Sequence, residues 1–122
     1  MRLVYLASPY SHPDKQIQQH RFQAVCHQAA EMMRSGELVF SPIAHTHPIA
    51  QFGLPGDWSF WQAYDRVILE RCDELAVLKL PGWGESVGVQ AEIAIAKELN
   101  LPVRFIMPKR CPESIESRQE KK

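Results

Sequence analysis

Apolar positions along the chain form four short runs separated by three longer stretches with helical spacing. Arg2 to Ala7 is a brief run with Val, Tyr and Leu and reads as a first strand. Ser8, Pro9, Ser11, His12 and Pro13 then form a turn-rich loop. From about Asp14 to Arg34, Phe22, Val25, Ala29, Met32 and Met33 make one apolar stripe, and Ser35-Gly36 stops the helix. Glu37 to Pro42 reads as a second strand and Ile43 to Asp57 as a long loop. Trp58 to Arg71 is a second helix with Asp57 as its N-cap, and Asp73 to Leu80 a third strand. Pro81 to Glu85 is a tight loop, Ser86 to Leu99 a third helix, and Val103 to Met107 a last strand. This alternation predicts an α/β fold with a mostly parallel sheet of four to five strands and helices on both faces. Residues 1–107 form one domain in this reading, and residues 108–122 a polar C-terminal tail. Ligands in such sheets bind at the carboxyl ends of the strands, where strand order reverses. The loops at Ser8–Pro13, Ile43–Asp57 and Pro81–Glu85 are expected at that rim.

Two acidic residues break the amphipathic pattern. With Val87 at 0° and about 100° per residue, Glu92 falls near 140°. It lies among Ile95, Gly88, Leu99 and Ala96, while Gln90 and Lys97 lie on the other side. On the preceding helix Asp65 falls among Trp58, Trp61, Ile68, Leu69 and Cys72, whereas Arg66, Glu70 and Ser59 face water. An unpaired buried carboxylate is costly or shifts its pKa, so two on consecutive helices suggest one acidic site. The plainer alternatives are a Glu92 paired with a core Arg and an Asp65 capping a neighbouring loop.

Size and charge narrow the function classes. The chain has 122 residues, 45% of them hydrophobic, and 14 basic side chains balance 14 acidic ones. No basic stripe suited to polymeric nucleic acid is present, which argues against DNA or RNA polymers but not against a single nucleotide. Cys26, Cys72 and Cys111 make no CxxC pair and read as free thiols in a reducing cytoplasm. The first apolar run is too short for a signal peptide, and no stretch approaches about 18 apolar residues, so no membrane span is expected. His45-Thr46-His47 would present two imidazoles on one face of an extended segment, a spacing a metal can use. No third ligand is evident beyond His12, so the histidines are read as shaping a pocket, with no metal and no organic cofactor. Asp73, at the start of a strand, reads as a turn residue, and Arg21 as solvated or within reach of a phosphate.

Carboxylates in a half-dry pocket suit glycosidic chemistry, in which one attacks or stabilises the anomeric carbon and the other manages the leaving group's proton. Ser86 and the first N–H groups of its helix make an anion-friendly corner, and Gly88 admits close approach to the backbone. Ser86 is equally a good N-cap. Tyr5 in the first strand, Asp65 eight positions before Asp73, and the S-x-G-x-x-x-E pattern from Ser86 to Glu92 together resemble the nucleoside 2-deoxyribosyltransferase superfamily, which includes the 2'-deoxynucleoside 5'-phosphate N-hydrolases. The resemblance spans roughly Met1 to Met107. It implies a flavodoxin-like, Rossmann-like three-layer sandwich. It also implies that Glu92 attacks C1' of a (deoxy)ribose, that Asp65 engages the base, and that Tyr5 holds the nucleophile or sugar. Serine at position 86, where the transferases tend to carry an acidic residue, favours hydrolysis and a 5'-monophosphate over a nucleoside, although Glu85 stands beside it. The first loop, Ala7-Ser8-Pro9-Tyr10-Ser11, lacks the glycine-rich sequence of the hydrolases. Ser8 and His45 are further expected substrate contacts, and Trp83, in its glycine-flanked loop, is expected to stack on the base. The resemblance also implies a homodimer or higher homo-oligomer. The alternative from another class is a nucleotide-sensing module of the same fold without turnover.

Overall fold

Alternation along the central strands decides which helices each residue meets. In strand β1 (Leu3–Ala7), Val4 and Leu6 face one side and Tyr5 and Ala7 the other. A computed structural model describes residues 2–55 and 57–109 of the chain. After β1 come α1 (Lys15–Arg34), β2 (Leu38–Phe40), α2 (Pro42–Ala50), α3 (Trp58–Glu70), β3 (Glu74–Leu78), a 3-10 turn at Trp83–Glu85, α4 (Val87–Glu98) and β4 (Val103–Ile106). The four strands pair in parallel in the order β2-β1-β3-β4. Below the sheet, Val25, Ala29 and Met32 of α1 close on Val4, Leu6, Ala76, Leu78 and Leu80. Above it, Leu69 of α3 and Val89 and Ala96 of α4 close on Tyr5, Ala7, Leu75 and Val77. The result is a flavodoxin-like, Rossmann-like three-layer α/β sandwich.

Strand order reverses between β1 and β3, since β2 lies on one side of β1 and β3–β4 on the other. The loops after β1 and β3 therefore part at this point and leave a crevice at the carboxyl ends of the strands. The opposite end is tied shut. The Leu3 N–H donates to Asp73 Oδ2 at 2.7 Å, so Asp73, expected as a turn residue, ties the entry of β3 to β1. Arg104 pairs there with Glu37 at 2.7 Å and Glu74 at 3.0 Å. At the end of α1, Gly36 adopts φ +95°, the left-handed geometry that lets the chain leave the helix for β2.

One expected element differs. Residues 43–57 are not a continuous loop, because α2 occupies Pro42–Ala50. The Ser41 hydroxyl accepts from the Ala44 N–H at 3.1 Å, and Pro42 sits in the first turn, where its missing N–H costs nothing. Pro48 falls near the end of this short helix, where few later turns depend on it. Two prolines and two histidines in nine residues read as loop signals although the local capping is helical. The described part of the 108–122 tail is Pro108 and Lys109, and Lys109 pairs with Glu31 at 2.8 Å. The rest of that tail, with Cys111, lies outside the described residues. Among the described residues no helix is long and apolar enough to cross a membrane.

Candidate active site

Tyr5 reaches up from the middle of β1 on the sheet face that α3 and α4 cover. Its hydroxyl donates to Glu92 Oε2 at 2.5 Å. Glu92 sits in the second turn of α4, five residues after Val87, so its side chain returns over the sheet instead of leaving toward solvent. Asp65 comes from α3, and it and Glu92 line the same cavity of about 780 Å³. A cavity of this size suits a ligand as large as a nucleoside. Tyr5, Glu92 and Asp65 are 0%, 5% and 8% exposed, so all three are withdrawn from water.

Burial governs their ionisation. It pushes the Glu92 carboxyl up to about 8, the hydrogen bond from Tyr5 opposes the rise, and the Asp65 charge adds to it. Burial alone pushes Asp65 up to about 6. The Tyr5 hydroxyl is raised well above its ordinary range, by burial first and by the Glu92 charge second. Near neutral pH the two carboxyls therefore hold about one proton between them. Asp65 Oδ1 has no hydrogen-bond partner, and neither has the hydroxyl of Ser8, 5% exposed at the end of β1. Both residues line the cavity. Buried polar atoms are rarely left unpaired, so these two atoms are the polar groups at the cavity that the described residues leave unsatisfied.

The wall is built by loops and helix starts around this centre. Ser86 accepts from the Val89 N–H at 3.2 Å and caps α4, with Gly88 in the first turn. Both line the cavity as expected, and a Cβ on Gly88 would lie 3.6 Å from Trp58, an ordinary contact. Arg21 lines it too. Its Nη1 donates to the Ser11 carbonyl at 2.9 Å and its Nη2 to the Pro81 carbonyl at 3.0 Å, so one guanidinium straps the loop after β1 to the loop after β3. Gly82, at φ +92°, leaves room for this strap, because a Cβ there would stand 2.7 Å from Arg21 Nη2.

Two expected contacts lie elsewhere. Trp83 does not line the cavity. Its ring packs on Phe105 with centroids 5.6 Å apart, beneath the Lys79 ammonium at 5.3 Å. The 3-10 turn that carries it folds its side chain over the outer edge of the sheet. His45 does not line the cavity either, because α2 turns successive side chains by about 100°. Its Nε2 meets the Tyr64 hydroxyl at 3.0 Å, while His47 points to the other side of the helix against Phe22, 4.2 Å away. The two imidazoles thus share no face. Among the described residues no group of three His, Cys, Asp or Glu side chains is placed to hold a metal ion.

Trp58 and Trp61 provide the aromatic wall instead. The helical spacing already placed them on the Asp65 side of α3, and that shared face was the signal for them. Ile43, Thr46 and Ala50 of α2 close the opposite wall. Beneath them His47 Nδ1 meets the Tyr10 hydroxyl at 2.5 Å and His47 Nε2 meets Gln19 Oε1 at 3.1 Å, which joins α2 to the β1 loop and to α1. No signal in the sequence foretold this contact, because it depends on α2.

No curated protein matches the chain. The model of one family, described as Domain of unknown function (DUF1937), matches residues 2–108, and with nearly the whole described domain covered the chain belongs to that family.

Proposed function

We propose that this site cleaves the N-glycosidic bond of a nucleoside or nucleoside 5'-monophosphate through a covalent sugar ester on Glu92. The family description names no chemistry, so the reading rests on the residues and on the resemblance they carry. The observation that supports it most is the buried Tyr5–Glu92 hydrogen bond of 2.5 Å, whose acceptor Glu92 lines, with Asp65, a cavity large enough to admit a nucleoside.

The ionised Glu92 carboxylate attacks C1', and the C1'–N bond breaks with its electron pair leaving on the base. Tyr5 orients the attacking carboxylate. Asp65 gives the departing base its proton from the minor form of the pair, in which Asp65 and not Glu92 holds the proton. Water then opens the ester and regenerates Glu92. A second base taking the sugar would make the same site a transferase, and hydrolysis is the favoured outcome. The chemistry draws on no metal or organic cofactor. Location in the cytoplasm and self-association belong to the same proposal. Phe60, Tyr64 and Val67, exposed along one face of α3, give a second copy an apolar stripe to cover.

Incubation with a panel of nucleosides and monophosphates, followed by chromatography, tests the reading. Free base is expected from at least one of them, and Glu92→Ala should abolish its release while ligand-induced thermal stabilisation persists. Stabilisation by a nucleotide without release of base from any panel member would favour the sensing module instead. That second reading draws on the same unpartnered atoms, Ser8 Oγ and Asp65 Oδ1.

A further inference from the structure

We propose that the cavity selects N-glycosides whose heterocycle carries a positive charge, such as pyridinium or N-alkylated purine ribosides, over uncharged counterparts and over 5'-phosphorylated ones. This rests on the glycosidic reading of the same site. Acidic side chains outnumber basic ones on the wall. Asp57, Asp65, Glu85 and Glu92 line it, against the guanidinium of Arg21 and the imidazole of His12 among the described residues there. That guanidinium is oriented by the carbonyls of Ser11 and Pro81. At the start of α4 the Ser86 hydroxyl serves as the helix cap, and the exposed Glu85 stands next to it. A phosphate dianion approaching that helix start meets a carboxylate, and like charges repel.

A second observation, independent of the charge count, points to a ligand. Ser8 and Asp65 both line the cavity and are buried, and each carries a side-chain oxygen, Ser8 Oγ and Asp65 Oδ1, with no hydrogen-bond partner among the described residues. Trp58 and Trp61 line the same space. Indole faces beside carboxylates are the surroundings in which a flat, delocalised cation is most at home.

The reaction chemistry agrees. A neutral base departs only with a proton, which requires Asp65 protonated while Glu92 is ionised. Burial orders the two groups the other way, with Asp65 at about 6 and Glu92 at about 8. A cationic heterocycle needs no proton. The Glu92 oxygen bonds to C1', the C1'–N bond breaks, and its electron pair cancels the positive charge on the ring nitrogen, so a neutral base departs. Water then cleaves the ester, giving the free sugar, the Glu92 carboxylate and one proton to solvent. While bound, the positive ring also favours the ionised form of Glu92.

Calorimetric titration of the full chain carrying Glu92→Gln tests the selection without turnover. Nicotinamide riboside is compared with benzamide riboside, its uncharged C-glycoside of the same shape, and 7-methylguanosine with guanosine in mildly acidic buffer. The cation is expected to bind about tenfold tighter at low salt, with the margin shrinking as salt rises. Adding Glu85→Gln or Asp57→Asn, both at exposed positions, should narrow the margin, and nicotinamide mononucleotide should bind more weakly than the riboside. A preference in either pair supports the proposal. Equal or undetectable binding within both pairs, or tighter binding of the mononucleotide, overturns it. If the cations bind selectively but the wild-type chain releases no base from them, the cleavage reading fails and the charge selection stands.

Discussion

The hydroxyl of Tyr5 and the carboxylate of Glu92, 87 residues apart in the chain, meet at 2.5 Å beneath the crevice where strand order reverses. The bond gives a buried acid the donor it needs and fixes the oxygen that would attack a sugar. Tyr5→Phe removes the donor and leaves the acid with one fewer partner. Stability should fall by about 1–3 kcal/mol. Base release should fall about 10-fold to 100-fold in kcat, with KM little changed, because orientation and not binding is lost. Since the bond holds the Glu92 pKa down, the pH of half-maximal release should move upward in this variant. Steady-state kinetics across pH, with denaturant melts, check all three.

Glu92 and Asp65 make stability depend on pH in an unusual direction. Folding raises Glu92 from 4.5 to about 8 and Asp65 from 3.8 to about 6. The folded state therefore binds more protons than the unfolded chain between those limits. The slope is set by protons bound unfolded minus folded, which is negative here. The contribution of these groups is fully present below their unfolded values and is lost as pH rises toward about 6 for Asp65 and about 8 for Glu92. Glu92→Gln has no charge to bury and should flatten most of the decline. Urea midpoints across this range, for wild type and variant, give the comparison, and an unchanged slope in the variant would contradict it.

Gly82 is held by two constraints. Its φ of +92° disfavours any side chain, and a Cβ would crowd Arg21 Nη2 at 2.7 Å. Gly82→Ala should cost about 1–3 kcal/mol in stability. It should also weaken ligand binding, because Arg21 straps together the two loops that flank the crevice. Arg21→Lys tests the strap alone, since one ammonium cannot reproduce the two-pronged geometry. Loss of binding in Gly82→Ala but not in Arg21→Lys would assign the effect to the loop backbone.

The α2 wall is docked through His47. Burial lowers its pKa, so the ring is held neutral and its two nitrogens serve Tyr10 and Gln19. Tyr10→Phe should release this wall locally. Amide hydrogen exchange over residues 42–50 is expected to speed up by about tenfold while the global melting temperature changes little. Unchanged exchange would show that the Phe22–His47 stack alone holds the helix.

Much of the architecture and its acidic centre was legible in the chain. The period of two in Val4-Tyr5-Leu6-Ala7 and the helical stripes of α1, α3 and α4 each follow from a local repeat, and a local repeat survives in any tertiary setting. Glu92 and Asp65 stood out for the same reason, as charges at angles where only apolar neighbours occur. The start of α4 was equally visible, because Ser86 caps it within four residues. Contacts over long distances were not legible. Trp83 turned to Phe105, and His45 to Tyr64, because a 3-10 turn and an unforeseen short helix re-aimed them. The direction of a side chain beyond a loop depends on rotations that no repeat encodes. The amino-acid order determined which residues were too polar for their surroundings, and packing decided which hollow they share. The order acts through neighbours a turn or a pleat away, whereas the cavity is bounded by segments that meet only after the sheet has closed.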